Sequence, residues 1–159
     1  MRVGLDEKRM KHMLAVARLM KEMALRLGWG EEKSRQMFVL GYTHDIGYEF
    51  STTHDGHADE GGRLMQEMGF VYADSITGHG KPGADPNDDV INLLNFCDAI
   101  IDGDGSKTTP DIRLYNISLR YGKDSSQYKD ARDAMKTTLE WAVKHGLYEK
   151  NWTKTNLVD

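Results

Sequence analysis

The chain carries six histidines, and several stand beside aspartates or in helical register with apolar residues. The densest grouping is "GYTHDIGYEF", Gly41 to Phe50, where His44 abuts Asp45 and Gly47 follows. Imidazole nitrogens and carboxylate oxygens suit Mn, Fe, Mg, Co or Zn rather than ions that prefer thiolates, and Fe or Mn is favoured here. An adjacent pair fixes no site alone, so partners must come from elsewhere in the chain and face inward. His12 shares a helical face with Val16, Leu19 and Met23, while Lys11, Arg18, Glu22 and Arg26 take the opposite strip. His44 falls in register with Met37, Leu40 and Gly41, again on an inward face.

Asp98 is the sharpest anomaly. It lies in "DDVINLLNFCDAII", among Leu93, Leu94, Phe96, Cys97, Ile100 and Ile101. An unpaired carboxylate there costs several kcal/mol, so it needs a cation, either a basic side chain from another element or a metal. His12, His44, Asp45 and Asp98 thus form a mixed nitrogen and oxygen set from three helices. On an octahedral ion such a set leaves positions for water or a substrate oxygen, the layout of a catalytic site. His57 in "HADEGGRLM" and His79 in "SITGHGKPG" extend it. With Asp45 as a bridge they could hold a second ion, and ions roughly 3.5–4 Å apart would hold a hydroxide and clamp a phosphoryl group.

The elements that must position these residues read as helices. Asp6 to Leu27 lacks proline and interior glycine and ends at Gly28, with Met10, Met13, Leu14, Ala17, Met20 and Ala24 as an apolar stripe. Further helices are expected over Gly30 to His44, His57 to Met68, Val71 to His79 and Asp88 to Ile101. Thr109 as cap and Pro110 in the first turn open another, and Ser125 to His145 is the last, stopped by Gly146. No alternating strand, repeat or low-complexity segment is visible. The expected fold is all-α, a single-domain bundle of about six to seven helices, with a core over 6–146 and a C-terminal tail over 147–159.

Composition bounds the function. At 159 residues the chain is long enough for one ordinary core, and 39% hydrophobic against 29% charged is normal for a globular protein. The net charge of −4 with scattered basic residues argues against a nucleic-acid groove. No apolar run is long enough for a membrane span, and the N-terminus lacks the apolar centre of a signal peptide. The one cysteine, Cys97, forms no internal disulfide and fits a reducing, cytoplasmic setting, with a homo-oligomer possible.

Together, the order His12, His44-Asp45, Asp98 resembles the H…HD…D signature of the HD-domain phosphohydrolase superfamily, in its HDIG form. "RMKHMLAVARLM" resembles the first helix of that family and "HDIGY" its metal-binding turn, and "HADEGG", "ITGHG" and "FCDAIIDGDG" follow in the family's order, so the resemblance covers about residues 9 to 121. It implies an HD-type helical bundle and metal-dependent hydrolysis of phosphate esters, commonly nucleotides, by a phosphomonoesterase or phosphodiesterase. His57 and His79 make the chain similar to the two-metal branch, with Asp45 shared between ions and central to catalysis. Two departures argue against a cyclic-dinucleotide substrate: Tyr48 stands where signalling phosphodiesterases of the superfamily carry lysine, and Gly80 where they pair a second histidine. Other activities on this scaffold are di-iron oxygenation and non-catalytic metal sensing.

A phosphate ester needs cations beyond the metal, and Arg9, Lys81 and Arg113 are the expected substrate-binding residues. Arg120 lies two turns beyond Arg113, and His54 stands close to His57. His145 suits a helix C-terminus and needs no further role. "DGDGS" at Asp102 is excluded as a calcium loop, because Lys107 occupies the position where such a loop needs glycine.

Overall fold

In the computed structural model, residues 4–51 and 56–149 are described. Among them seven α-helices run in order: α1 Glu7–Arg26, α2 Gly30–Thr43, α3 His57–Glu67, α4 Ala73–Gly78, α5 Asp89–Ala99, α6 Pro110–Tyr121 and α7 Ser126–Lys144. A short 3-10 helix, Ile46–Glu49, follows α2. The expected all-α fold is therefore the observed one.

Local chemistry sets the ends. The Asp6 side chain accepts the Arg9 amide and starts α1. At the other end Trp29 N–H reaches the Ala24 carbonyl and Gly28 N–H the Leu25 carbonyl. That double closure requires the positive φ of 77° that Gly28 adopts. Asp88, Thr109 and Ser125 cap α5, α6 and α7 by accepting amides of the first turn.

The α1 helix packs on α2 and α5 and is buried on two faces, one carrying Met13, Ala17, Met20 and Ala24, the other His12, Val16, Leu19 and Met23. Met10, expected in the apolar stripe, is instead 48% exposed, on the first turn of α1, where it lines an apolar hollow with Leu5, Tyr42 and Ile46. The α5 helix is buried nearly all round and packs between α1 and α7, with Leu93, Leu94, Phe96 and Cys97 at 1% exposure or less. Each fully buried Leu or Phe contributes about 1.5–3 kcal/mol, so α5 anchors the core. Leu147 and Tyr148, placed by the sequence in the tail, pack against this core. Expected helix α4 begins two residues later than Val71, because Phe70 to Tyr72 form a turn in which Ala73 N–H meets the Phe70 carbonyl.

Three glycines decide how closely elements approach. A Cβ on Gly41 would sit 2.7 Å from the Ala17 Cα, so α2 crosses α1 backbone to backbone. A Cβ on Gly47 would fall inside the His57 carbonyl, and Gly61 lies against the Gly47 amide, so α3 rests directly on the turn after Asp45. Thus Gly41→Ala is expected to destabilise the chain by roughly 1–3 kcal/mol in urea unfolding. Gly103→Ala, whose Cβ would meet nothing within 4 Å, is expected to change it little. Equal effects at the two positions would contradict the close crossing.

Candidate metal centre

The expected ligands come from six different elements and converge. His12 projects from α1, His44 caps the C-terminus of α2, Asp45 begins the 3-10 turn, His57 opens α3, His79 ends α4 and Asp98 lies on α5. Among the described residues two groups place their ligand atoms within 4.8 Å of one another: His12, His44 and Asp98, and His44, Asp45 and His79. His57 Nε2 joins the second, 3.3 Å from Asp45 Oδ1 and 3.1 Å from His79 Nε2.

The two carboxylate oxygens of Asp45 face different partners. Oδ2 lies 3.3 Å from His44 Nε2 and 3.6 Å from His12 Nε2, and Oδ1 lies 3.3 Å from both His57 Nε2 and His79 Nε2. On the first side Asp98 Oδ1 stands 2.9 Å from His12 Nε2 and 3.6 Å from His44 Nε2. Ligands about 2.0–2.2 Å from one ion at near right angles stand about 3 Å apart. The observed separations are close to that spacing.

Hydrogen bonding fixes which nitrogens are offered. Nδ1 of His12 donates to the Asp102 carbonyl at 2.8 Å, Nδ1 of His44 to Gly41 at 2.6 Å and Nδ1 of His79 to Ile76 at 2.6 Å. A neutral imidazole carries one N–H, so each Nε2 then presents a lone pair to the carboxylates. Lone pair against carboxylate is repulsive unless a cation stands between them. Consistent with this, His12 Nε2, His44 Nε2 and Asp98 Oδ1 are buried without a hydrogen-bond partner. The donor set fits a divalent cation.

Electrostatics say the same. Burial works to lower the pKa of His44, but Asp45 and Asp98 outweigh it and raise it to about 10. Burial would raise the carboxyls of Asp45 and Asp98, yet the surrounding imidazoles hold both well below the usual range. Burial, with His57 and His44 nearby, lowers His79 and so favours its neutral form. The site therefore demands positive charge at Nε2 of His44, which a proton or a metal can supply.

Asp98 is less enclosed than its helix suggested, with its side chain 23% exposed, because it opens onto a pocket of about 720 Å³. Arg113 does reach it, as an arginine partner from another element would, but only at 3.6 Å and shared with Asp102 at 3.5 Å. Arg9 holds Asp45 Oδ2 at 3.3 Å and lies 3.7 Å over the Tyr48 ring. The other face of Tyr48 stacks on His57, ring centroids 4.0 Å apart. Lys81 lines the pocket but is paired with Asp59 at 2.6 Å, at its rim. His54 lies outside the described residues.

Sequence reasoning passed over Lys8, Asn116 and Asn95. Lys8 and Asn116 line the pocket, and Arg120, noted earlier, does so too. Asn95 accepts the Gly80 amide and so ties the His79 loop to α5. It sits one turn before Asp98 in the same apolar helix, a polar anomaly of the same kind. Asn116 shares a helical face with Arg113 and Arg120, a periodicity that was there to be read.

The HD-domain family model matches residues 9–102, which contain all six expected ligands. The chain belongs to the HD-domain family, whose members are in general metal-dependent hydrolases that bind divalent cations. Comparison with curated proteins and with solved structures returns no match. No helix among the described residues is long and apolar enough to cross a membrane.

Two outcomes follow. A cation at 100 times its Kd adds about 2.7 kcal/mol by linkage, so Mn2+ should raise the Tm of wild type and raise that of Asp98→Asn much less; equal shifts would point to Arg113 as sole partner. The second concerns pH in chelated protein. His44 is raised above its ordinary 6.5, so its stabilisation is complete below about pH 6.5 and is lost as pH climbs through 10. Asp45 and Asp98 are depressed below 3.8, so theirs persists above that value and is lost in acid. Urea unfolding of chelated protein should therefore weaken from pH 6.5 to 10, less steeply in His44→Gln. A flat profile in wild type would contradict the buried charge cluster.

Proposed function

We propose that the chain is a metal-dependent phosphohydrolase acting on a small phosphate ester, of nucleotide size. The observation that carries this is the convergence of buried ligand atoms without hydrogen-bond partners, His12 Nε2, His44 Nε2 and Asp98 Oδ1, beside Asp45 at the floor of an open pocket. The pocket volume of about 720 Å³ lies within the range of small-molecule sites.

His12, His44, Asp45 and Asp98 would hold one divalent cation, and His57 and His79 with the other oxygen of Asp45 a second. Such cations, when bound, supply Lewis-acid charge and acidify a water that serves as nucleophile. Hydrolysis joins a water oxygen to phosphorus and breaks the ester P–O bond, the departing oxygen leaving protonated as an alcohol. Arg9 and Arg113 flank the two carboxylates and line the pocket, where their N–H groups would donate to phosphoryl oxygens as charge develops. Their contacts to carboxylates, 3.3–3.6 Å, are long, so both retain donors for a substrate. Tyr48 braces Arg9 from beneath. Asn116 and Ser126 offer polar contacts for the organic part of the ester.

A panel of phosphate esters with Mn, Fe, Co or Mg should show turnover that chelation abolishes and that Asp45→Ala removes from a folded helical protein. Activity surviving both treatments would overturn the proposal. Charged hydrogen bonds are worth about 1.5–3 kcal/mol, so Arg9→Ala and Arg113→Ala should each lower kcat/KM roughly 10- to 100-fold. Metal analysis separates one ion from two: His57→Ala and His79→Ala should each lose about half of the metal held by wild type.

A further inference from the structure

Every acceptor oxygen of Asp102 is committed, and one commitment reaches the metal centre. Its backbone carbonyl accepts the His12 Nδ1–H at 2.8 Å and the Gly105 amide at 2.9 Å. Its Oδ1 accepts the Gly103 amide at 2.8 Å, and its Oδ2 accepts Asn116 Nδ2, from α6, at 2.8 Å. Arg113, also on α6, stands 3.5 Å from Oδ1. The loop carrying Asp102 is pressed onto α1, since a Cβ on Gly105 would lie 2.8 Å from the Lys11 carbonyl. It is closed by the Asp102 amide on Ser106 and by the bridge between Ile101 and Lys107. Neither oxygen of the Asp102 side chain touches an imidazole, so the residue acts through its backbone, and α6 sets where that backbone lies.

We infer that Asp102, clamped by Asn116, is a positioning residue for His12: the clamp aims the Asp102 carbonyl at Nδ1 and thereby directs Nε2 at the cation. It links the helix that walls the substrate pocket to a ligand of the metal centre. A neutral imidazole held by a carbonyl acceptor is fixed in both tautomer and ring plane, and loss of such an outer partner weakens metal binding about 10- to 100-fold. "DGDGS" resembles a cation loop in sequence, but here its first aspartate serves as an acceptor for α1 and α6. The inference rests on the metal reading of the centre above.

The test uses the full chain and Co2+ alone, read by binding titration and by the visible absorption of the bound ion, which reports ligand number and geometry. Asn116→Leu removes the donor without changing charge, and Asn116→Asp sets one carboxylate against another. Both should weaken Co2+ binding about 10- to 100-fold and alter its spectrum, with far-UV circular dichroism unchanged. The double variant Asp102→Asn/Asn116→Asp restores the net charge. It also reverses the hydrogen bond, since the new amide still accepts the Gly103 N–H and donates to the new carboxylate. It should recover affinity and spectrum to near wild type. If the single variants bind Co2+ as wild type does, or the double variant is no better than the singles, the inference is overturned while the metal centre stands. Failure of wild type to bind Co2+ would overturn both.

Discussion

A carboxylate that is 5% exposed must meet positive charge, and Asp45 meets it on both sides. One oxygen faces His12, His44 and Arg9; the other faces His57 and His79. The cost of removing such a group from water is several kcal/mol unless neighbours are placed closely around it. The placement of α1, α2, α3 and α4 around the Asp45 turn answers that requirement. Where no metal is bound, a proton on His44 and the guanidinium of Arg9 carry part of the compensation, which is why His44 holds its proton to about pH 10. A divalent cation concentrates that charge at one point and satisfies several lone pairs at once.

Close backbone approach is what makes this crowding possible. Gly41 lets α2 lie on α1, so that His44 at the end of one helix meets His12 on the other. Gly47 and Gly61 let α3 settle on the turn after Asp45, which brings His57 to the second oxygen. The α5 helix has no such glycine and instead uses its buried apolar surface as a fixed platform for Asp98 and Asn95. From the far side α6 closes the pocket, bringing Arg113 and Asn116 to Asp98 and Asp102. The pocket thus forms where the bundle leaves Asp98 and His57 partly uncovered.

Much of this was legible in the sequence because it was written in residue type and period. The cap at Thr109, the starts at Asp6 and Ser125 and the stops at Gly28 and Gly146 placed the helix ends within a residue or two. Asp98 was conspicuous as a charge in an apolar helix, and His12 as an imidazole on an inward face. Other features left no such mark. The 3-10 turn spans four residues, too few for a period to show. The start of α4 depends on a turn whose residues are compatible with helix. Met10 follows the apolar stripe of α1 but stays half exposed beside the C-terminal end of α2. The part played by Asp102 runs through a backbone carbonyl, which every residue possesses and no pattern records.

The central claim is that Asp45 stands between two cation positions, one on the His12, His44 and Asp98 side and one on the His57 and His79 side. Anomalous diffraction from crystals grown with Mn2+ tests it directly. Two peaks roughly 3.5–4 Å apart, one on each side of the Asp45 carboxylate, are the result the account predicts. A single peak on the His12 side with His57 and His79 bonded only to each other, or no peak at Asp45 at all, would contradict it.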